Sequence, residues 1–522
     1  MPTARRLAHE FLDRRGLTTI FGNPGSNELP FLAELPAHFR YVLGLHEGAV
    51  VGMADGYAQA TGRPVLVNLH AAAGSGNAMG ALTNAVYSRS PLVLTAGQQV
   101  RTAIGLEAML ANVDATQLMR PLVAWSGEPS CAADVPRSLA QAVFEAELHR
   151  RPSYLSVPYD DWAVELEETA TLDRRVQKGL APSEAQLDDL AASVAGAKNP
   201  ALVLGGDIDA AGLFDRAVAL AERLGLPTWV APSPHRLPFP NRHPLFRGVL
   251  PAGIATVSAA LTGHDLVLVL GAPVFRYHQH VPGAYLPEGT RLIQVTDDFG
   301  AAARAPMGEA LVADPAPVIE ALLGKIPARE AEREYVESPE PRTGEKALHP
   351  EQVFAALRDT QPRDTRYVVE STSTNSAWWR QMDLRRAGSY FFPAAGGLGF
   401  GLPAAVGVAM GSPDRPVVGV IGDGSANYGI TALWTAAHYR VPVTFVILRN
   451  GVYGALRWFG ELLGTPDVPG TEIPGLDFTA IAAGYGVEAT TARDEDDLRA
   501  QLKATPDGPR LIQVDTEPTT PE

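Results

Sequence analysis

The sequence predicts an α/β protein of three doubly wound domains, each built on a parallel sheet. Three observations carry that prediction. Short β-branched runs bounded by glycine recur along the 522 residues, separated by stretches with helical spacing. Two charged segments without a hydrophobic run, Val164–Gln186 and the proline-rich Pro327–Pro350, read as linkers. They place the domains at 1–180, 181–340 and 341–522. Finally, a faint internal repeat aligns "VGMADGYAQATGRPVLVNLHAAAG" (Val51–Gly74) with "VGVAMGSPDRPVVGVIGDGSA" (Val406–Ala426). Each copy gives a small-residue helix, a turn, Arg-Pro-Val, an apolar strand and a Gly-rich loop, so the first and third domains are expected to share one topology.

The strands follow in order. "PVLVNLH" (Pro64–His70) and "PLVLTAG" (Pro91–Gly97) belong to the first domain. "ALVLGG" (Ala201–Gly206), "DLVLVLGAP" (Asp265–Pro273) and "RLIQVT" (Arg291–Thr296) belong to the second. "RPVVGVIGDG" (Arg415–Gly424) and "VTFVILRNG" (Val443–Gly451) belong to the third. Such continuous apolar runs suit sheets covered on both faces. Ligands of these sheets sit beyond the C-terminal ends of the strands, so functional residues are sought just after each run.

Composition narrows the class. With 46% hydrophobic and 19% charged residues, 50 Gly and 43 Pro, the chain reads as compact, loop-rich and globular. Its net charge of −15 and its lack of a long basic stretch argue against a protein that tracks nucleic acid. Cys131 stands alone, so no intramolecular disulfide is possible. The N-terminal "MPTARRLAHEFLDRRGL" lacks the apolar core of a signal peptide, and no stretch approaches the ~20 apolar residues that cross a bilayer. A cytoplasmic protein without membrane contact is expected.

Chemistry concentrates after two strands of the third domain. "GDGS" (Gly422–Ser425) follows the first as a tight turn into a helix starting near Ser425, a ready anion site. Asp423 would repel an anion there unless a divalent cation sat between the two. Asn450 follows the next strand, which returns beside the first in a right-handed βαβ unit. Asp carboxylate, Asn amide oxygen and a backbone carbonyl are hard donors suited to Mg²⁺ with phosphate oxygens. The same residues taken singly also occur as ordinary turn residues of α/β proteins.

Gly422-Asp423-Gly424-Ser425, 25 residues from Ser425 to Arg449, then Asn450, resembles the thiamine-diphosphate (ThDP) binding motif. That motif usually ends in Asn-Asn, and Arg449 replaces the first. The resemblance implies three domains named for their roles: pyrimidine-binding, middle and diphosphate-binding. It implies Mg²⁺ (or Ca²⁺) held by Asp423, Asn450 and the carbonyl of Val452. It assigns Gly422, Asp423, Gly424, Ser425, Asn450 and Tyr453 to the cofactor, with Thr372 and Ser373 from "ESTSTN". "AAGGLGFGLPAAVG" (Ala394–Gly407) resembles the segment under the cofactor, with Leu398 as the wedge between its rings and the Gly396 carbonyl turned to its amino group. Glu47, after an apolar strand and opening a small-residue helix, matches the glutamate that faces the aminopyrimidine. In the family this glutamate and the diphosphate site come from different subunits, so at least a dimer, commonly a homotetramer, is implied.

Within the family the chain is most similar to the branch that decarboxylates benzoylformate. "FGNPGSNELPF" (Phe21–Phe31), "NLHAAAGSGNAMGAL" (Asn68–Leu82), "GAPVFRYHQH" (Gly271–His280) and "GALRWF" (Gly454–Phe459) carry the likeness across all three domains. It implies non-oxidative decarboxylation of an aryl 2-keto acid through a thiazolium C2 carbanion and an enamine. Ser26, beside Gly25, would hold the substrate carboxylate, while His70 and His278 would move protons, work that suits an imidazole. Met109, Leu110, Phe392, Leu456 and Phe459 are candidates for the aryl pocket. Pyruvate decarboxylases instead resemble a pattern with two adjacent histidines, and here His70 precedes Ala71-Ala72-Ala73.

Two departures are visible. Pro393 stands where the branch has a cysteine, and Gln117 replaces an asparagine in a segment, with Leu118 and Arg120, resembling a second cation site. Rival readings are a ThDP-dependent carboligase or lyase, and a cofactor-binding homologue without turnover. A dinucleotide-binding protein would rest on "GGDIDAAG" (Gly205–Gly212) alone, which lacks the fingerprint spacing.

Overall fold

The computed structural model describes residues 1–167, 174–329, 331–504 and 507–519. The first sheet holds β1 (Thr19–Gly22), β2 (Arg40–Leu43), β3 (Val65–Leu69), β4 (Leu92–Gln98), β5 (Trp125–Gly127) and β6 (Ser153–Pro158), in the order β2-β1-β3-β4-β6-β5. The second holds β7 (Pro200–Leu204), β8 (Thr228–Val230), β9 (Phe246–Val249), β10 (Leu266–Leu270), β11 (Arg291–Thr296) and β12 (Glu309–Val312), in the order β12-β11-β10-β7-β8-β9. The third holds β13 (Arg366–Glu370), β14 (Tyr390–Phe391), β15 (Val417–Gly422), β16 (Thr444–Arg449), β17 (Glu488–Ala492) and β18 (Arg510–Asp515), in the order β14-β13-β15-β16-β18-β17. The paired strands run parallel in each sheet. β3 and β10 are buried at every position, as continuous apolar runs require.

Counted from its own first strand, the third sheet repeats the order of the first. The internal repeat therefore marks a shared topology. Four helices border the site and are labelled in chain order: α1 (Glu47–Thr61), α2 (Ala71–Tyr87), α3 (Gly401–Gly411) and α4 (Gly454–Leu462). α1 and α3 are the two repeated small-residue helices, and they pack on each other. A Cβ at Gly56 would lie 2.3 Å from the Ala404 carbonyl oxygen, and one at Gly407 would lie 1.9 Å from that of Met53. Only glycine lets the two backbones approach so closely. One core cluster runs across this junction, joining Met53 and Ala54 to Ala404 and Val408.

The middle sheet has the order of a dinucleotide-binding fold, whose ligand crevice lies between β7 and β10. Protein fills that crevice. A Cβ at Gly205 would lie 2.1 Å from the Gly271 carbonyl oxygen. Arg89 of the first domain reaches Asp207 and Asp297 there, at 2.6 Å each. The first linker ends earlier than expected, because Ser183 and Gln186 form a capping box on the helix Glu184–Gly196. Its residues 168–173 lie outside the described residues. The second linker is fastened at Val336, whose N–H donates to the Arg242 carbonyl at 2.8 Å.

Candidate active site

β15 and β16 are neighbours, with Gly422 opposite Leu448, so the turn after one and Asn450 after the other meet at one sheet edge. Asp423 is buried there. Its Oδ2 accepts the N–H groups of Asn450 (3.0 Å) and Gly451 (2.7 Å), and its Oδ1 accepts that of Gly424 (2.8 Å). Burial pushes its carboxyl above the ordinary range, against the pull of those N–H groups. The Asn450 Oδ1 accepts from the Val452 N–H at 3.1 Å. The helix expected near Ser425 starts at Asp423 and lasts one α-turn, to Ala426, then tightens to a 3₁₀ turn at Asn427–Gly429 before a second piece at Ala432–His438. Asn427 breaks the ladder by donating its side-chain amide to the Asp423 carbonyl at 2.8 Å. Arg449 turns away and pairs with Asp515 at 2.6 and 2.7 Å, leaving the Asn450 side free.

These residues fit a cation bridged to a diphosphate. Among the described residues no three His, Cys, Asp or Glu side chains gather to hold a metal. One carboxylate, one amide oxygen and one carbonyl leave coordination positions for phosphate oxygens and water, the manner in which Mg²⁺ is usually bound. Among the described residues no salt bridge relieves the buried Asp423, and a cation would.

A cavity of about 1440 Å³ opens over this edge. Thr372, Ser373, Gly396 and Leu398 line it, with Gly422, Asp423, Gly424 and Ser425 and then Asn450, Val452 and Tyr453. Tyr453 lies across the turn, its ring against Gly424. The apolar wall comes from Phe392, Pro393, Leu456 and Phe459, the last two on α4. His278 of the middle domain also lines the cavity and packs edge-on against Phe459, ring centroids 4.9 Å apart.

The remaining predicted residues form a second group, in the first domain, and do not line this cavity. His70 joins β3 to α2 as the N-cap residue, its side chain making no capping bond, and Gly25 lies under its ring, where a Cβ would come within 2.1 Å of Nδ1. Ser26 is exposed beside them. Glu47, 6% exposed, opens α1. A glutamate that exchanges a proton near neutrality works best in apolar surroundings. Here its oxygens instead accept the side-chain amides of Asn23 (3.1 Å) and Asn77 (3.0 Å). Met109 and Leu110 are 86% and 40% exposed, so one chain does not assemble the pocket wall expected of them. They sit on a loop whose apolar side chains find no partner within the chain's own core. At the segment resembling a second cation site, the Gln117 carbonyl accepts the Arg120 N–H at 3.1 Å, and Leu118 ends the short helix Ala115–Leu118.

Sequence reasoning missed Glu28, Asn23 and Asn77. Glu28 is buried three residues after Gly25, whose N–H it accepts at 2.9 Å. That acid at the foot of a Pro-Gly turn was the available signal. The two asparagines carried none, since only the fold brings them to Glu47.

Comparison with known proteins shows the family. Residues 2–118 match the N-terminal TPP binding domain of thiamine pyrophosphate enzymes, 187–322 the central domain, and 371–514 the C-terminal TPP binding domain. The chain is 59% identical to a benzoylformate decarboxylase of Pseudomonas aeruginosa, over 100% of both chains. A ThDP-dependent 4-hydroxybenzoylformate decarboxylase of Rhodococcus jostii RHA1 superposes with a TM-score of 0.97 at 56% identity, covering 99% of each chain. The benzoylformate decarboxylase of Polynucleobacter necessarius does so with a TM-score of 0.96 at 36% identity, over 100% of both chains. The chain belongs to the thiamine-diphosphate-dependent enzyme family that includes these decarboxylases.

Proposed function

We propose that the protein decarboxylates benzoylformate, or a ring-substituted analogue, to the aldehyde and CO₂. The observation that carries the reading is the cavity itself, where His278 and an apolar wall face the Asp423–Asn450 donor set. Whole-chain similarity to benzoylformate decarboxylase supports it. The cofactor is ThDP with a divalent metal such as Mg²⁺. When bound, it supplies the nucleophilic carbon and the sink for the electrons left by departing CO₂.

The chain's own residues bind, orient and move protons. Asp423, Asn450 and the Val452 carbonyl would hold the metal, and Thr372, Ser373, Gly422, Gly424, Ser425 and Tyr453 would surround the diphosphate end. Gly396 and Leu398 would support the rings, and Glu47 would exchange a proton with the pyrimidine end. Ser26 takes the substrate carboxylate through its hydroxyl. His70 and His278 deliver and accept protons at the reacting carbon, roles suited to imidazole near neutral pH. Phe392, Leu456 and Phe459 exclude water around the aryl ring, joined by Met109 and Leu110.

The two groups of residues meet when the first domain of one subunit faces the third domain of another. Exposed apolar side chains flank both groups: Leu29 (59%), Leu106 (74%) and Val113 (74%) near the first, Tyr428 (59%), Leu463 (72%) and Val468 (41%) near the second. Patches of this kind mark association surfaces. A homodimer with two composite sites follows, assembled further into a homotetramer and working in the cytoplasm. Aldehyde release from benzoylformate, 4-hydroxybenzoylformate and pyruvate, with and without ThDP and Mg²⁺, tests the reading. A carboligase would instead consume the aldehyde without net CO₂ release.

A further inference from the structure

The loop between β14 and α3 carries Gly396 and Leu398, and each of the three domains grips it with one polar side chain. From the first domain, the buried Asn84 of α2 donates Nδ2–H to the Gly397 carbonyl (2.8 Å) and accepts the Ala395 N–H at Oδ1 (3.0 Å). From the middle domain, Arg276 donates Nη1–H to the Ala394 carbonyl at 2.7 Å. Its guanidinium also lies over the Tyr87 ring at the end of α2, 5.0 Å from the centroid. From the third domain, the wholly buried Glu370 at the end of β13 accepts the N–H groups of Gly399 (2.9 Å) and Phe400 (3.1 Å) at Oε1, and that of Gly401 (2.8 Å) at Oε2.

We propose that Asn84, Arg276 and Glu370 are positioning residues that together fix loop 394–401, and thereby the placement of Leu398 and Gly396 against the bound cofactor. The proposal rests on reading the cavity as the site of a ThDP-dependent decarboxylase. The bonds fall on both sides of Leu398 and none is made by Leu398 itself, so its side chain is held by its neighbours' backbones. Ala395 and Gly396 are exposed within the loop, which has no sheet or helix bonds of its own at those residues. Beyond one backbone turn bond, from the Gly396 N–H to the Pro393 carbonyl (3.1 Å), its conformation rests on the three side chains. Arg276 lies two residues before His278, which ties the loop to the segment bearing that histidine. A loop gripped from three domains also stays in register with all of them.

Two near-isosteric variants test this in the full chain. Asn84→Asp keeps the acceptor for the Ala395 N–H and sets an oxygen against the Gly397 carbonyl. Glu370→Gln keeps the shape and sets an NH₂ against a backbone N–H. Amide hydrogen exchange of residues 394–402 without cofactor is expected to rise about tenfold, with exchange in β4 and β16 unchanged. Half-saturating ThDP, read by tryptophan fluorescence with Mg²⁺, is expected to rise about fivefold, and kcat for benzoylformate to fall about tenfold with KM little changed. Unchanged loop exchange in both variants overturns the proposal, as does a loosened loop with normal half-saturation and normal kcat. If the unaltered chain turned over no 2-keto acid, the functional reading would fail, while exchange and cofactor titration would still test the clamp. If Glu370→Gln does not fold, Asn84→Asp alone supports or overturns the clamp by the same exchange and titration readouts.

Discussion

Nδ1 of His70 lies 2.7 Å from Oε2 of Glu28, and the Glu28 carboxylate accepts three backbone N–H groups as well. Those donors are Gly25 in the loop after β1, Ala71 at the start of α2 and Gly97 near the end of β4. The three backbone donors leave the His70 Nδ1 contact as the place where a ring N–H would complete the set around the carboxylate. With Nδ1 so engaged, Nε2 would be the face of His70 left to work on substrate.

Glu28→Gln should therefore turn the His70 ring or change its tautomer. A fall in kcat/KM of about 10² or more is expected, on the scale of other tautomer-setting carboxylates. ¹⁵N spectra of the histidine side chains check the cause, with loss of the protonated Nδ1 signal in the variant.

Glu47→Gln should cut kcat by about 10²–10⁴ with the fold intact by circular dichroism. Asp423→Ala should abolish retention of ThDP and metal through gel filtration. Mixed and reassembled, the two inactive variants should regain about a quarter of normal activity, because a mixed dimer pairs one intact Glu47 with one intact Asp423. No recovery in mixtures that do exchange subunits would place each site within one chain.

Gly407→Ala should destabilise the protein by about 1–3 kcal/mol, since its Cβ would press the Met53 carbonyl and part α1 from α3. Urea unfolding measures it. A neutral result would mean the two helices can separate freely.

Glu370 titrates near neutrality, pushed up to about 7 by burial and held back by the N–H groups of Gly401, Phe400 and Gly399. Its folded-state pKa exceeds its unfolded one, so the folded form binds the proton more tightly. The stability it contributes is full in acid below the ordinary carboxyl range and is lost as pH rises through about 7. The loss amounts to roughly 3 kcal/mol across that window. Glu370→Gln should flatten this part of the stability profile, measured by denaturant midpoints from about pH 5 to about pH 8.

The features legible in the sequence were those with a local pattern. β15 and β16 announce themselves as apolar runs, and Asp423 and Asn450 follow them at fixed spacing. α1 and α3 show their small residues twice, as the repeat. Asn84, Arg276 and Glu370 were not legible as a set, since residues from three domains meet only in the fold. Met109 and Leu110 read as pocket wall from resemblance, yet stand exposed in the single chain, as they would if the proposed partner subunit completed that wall. The break after Ala426 escaped for a local reason, the side chain of Asn427 competing for a backbone carbonyl.

The first measurement is joint release of CO₂ and benzaldehyde from benzoylformate, beside pyruvate, with ThDP and Mg²⁺ present or withheld. Equal release of both products, dependent on cofactor and much slower from pyruvate, is the predicted result. Cofactor binding without decarboxylation of any aryl 2-keto acid would contradict the proposed function while leaving the diphosphate grip at Asp423 and Asn450 in place.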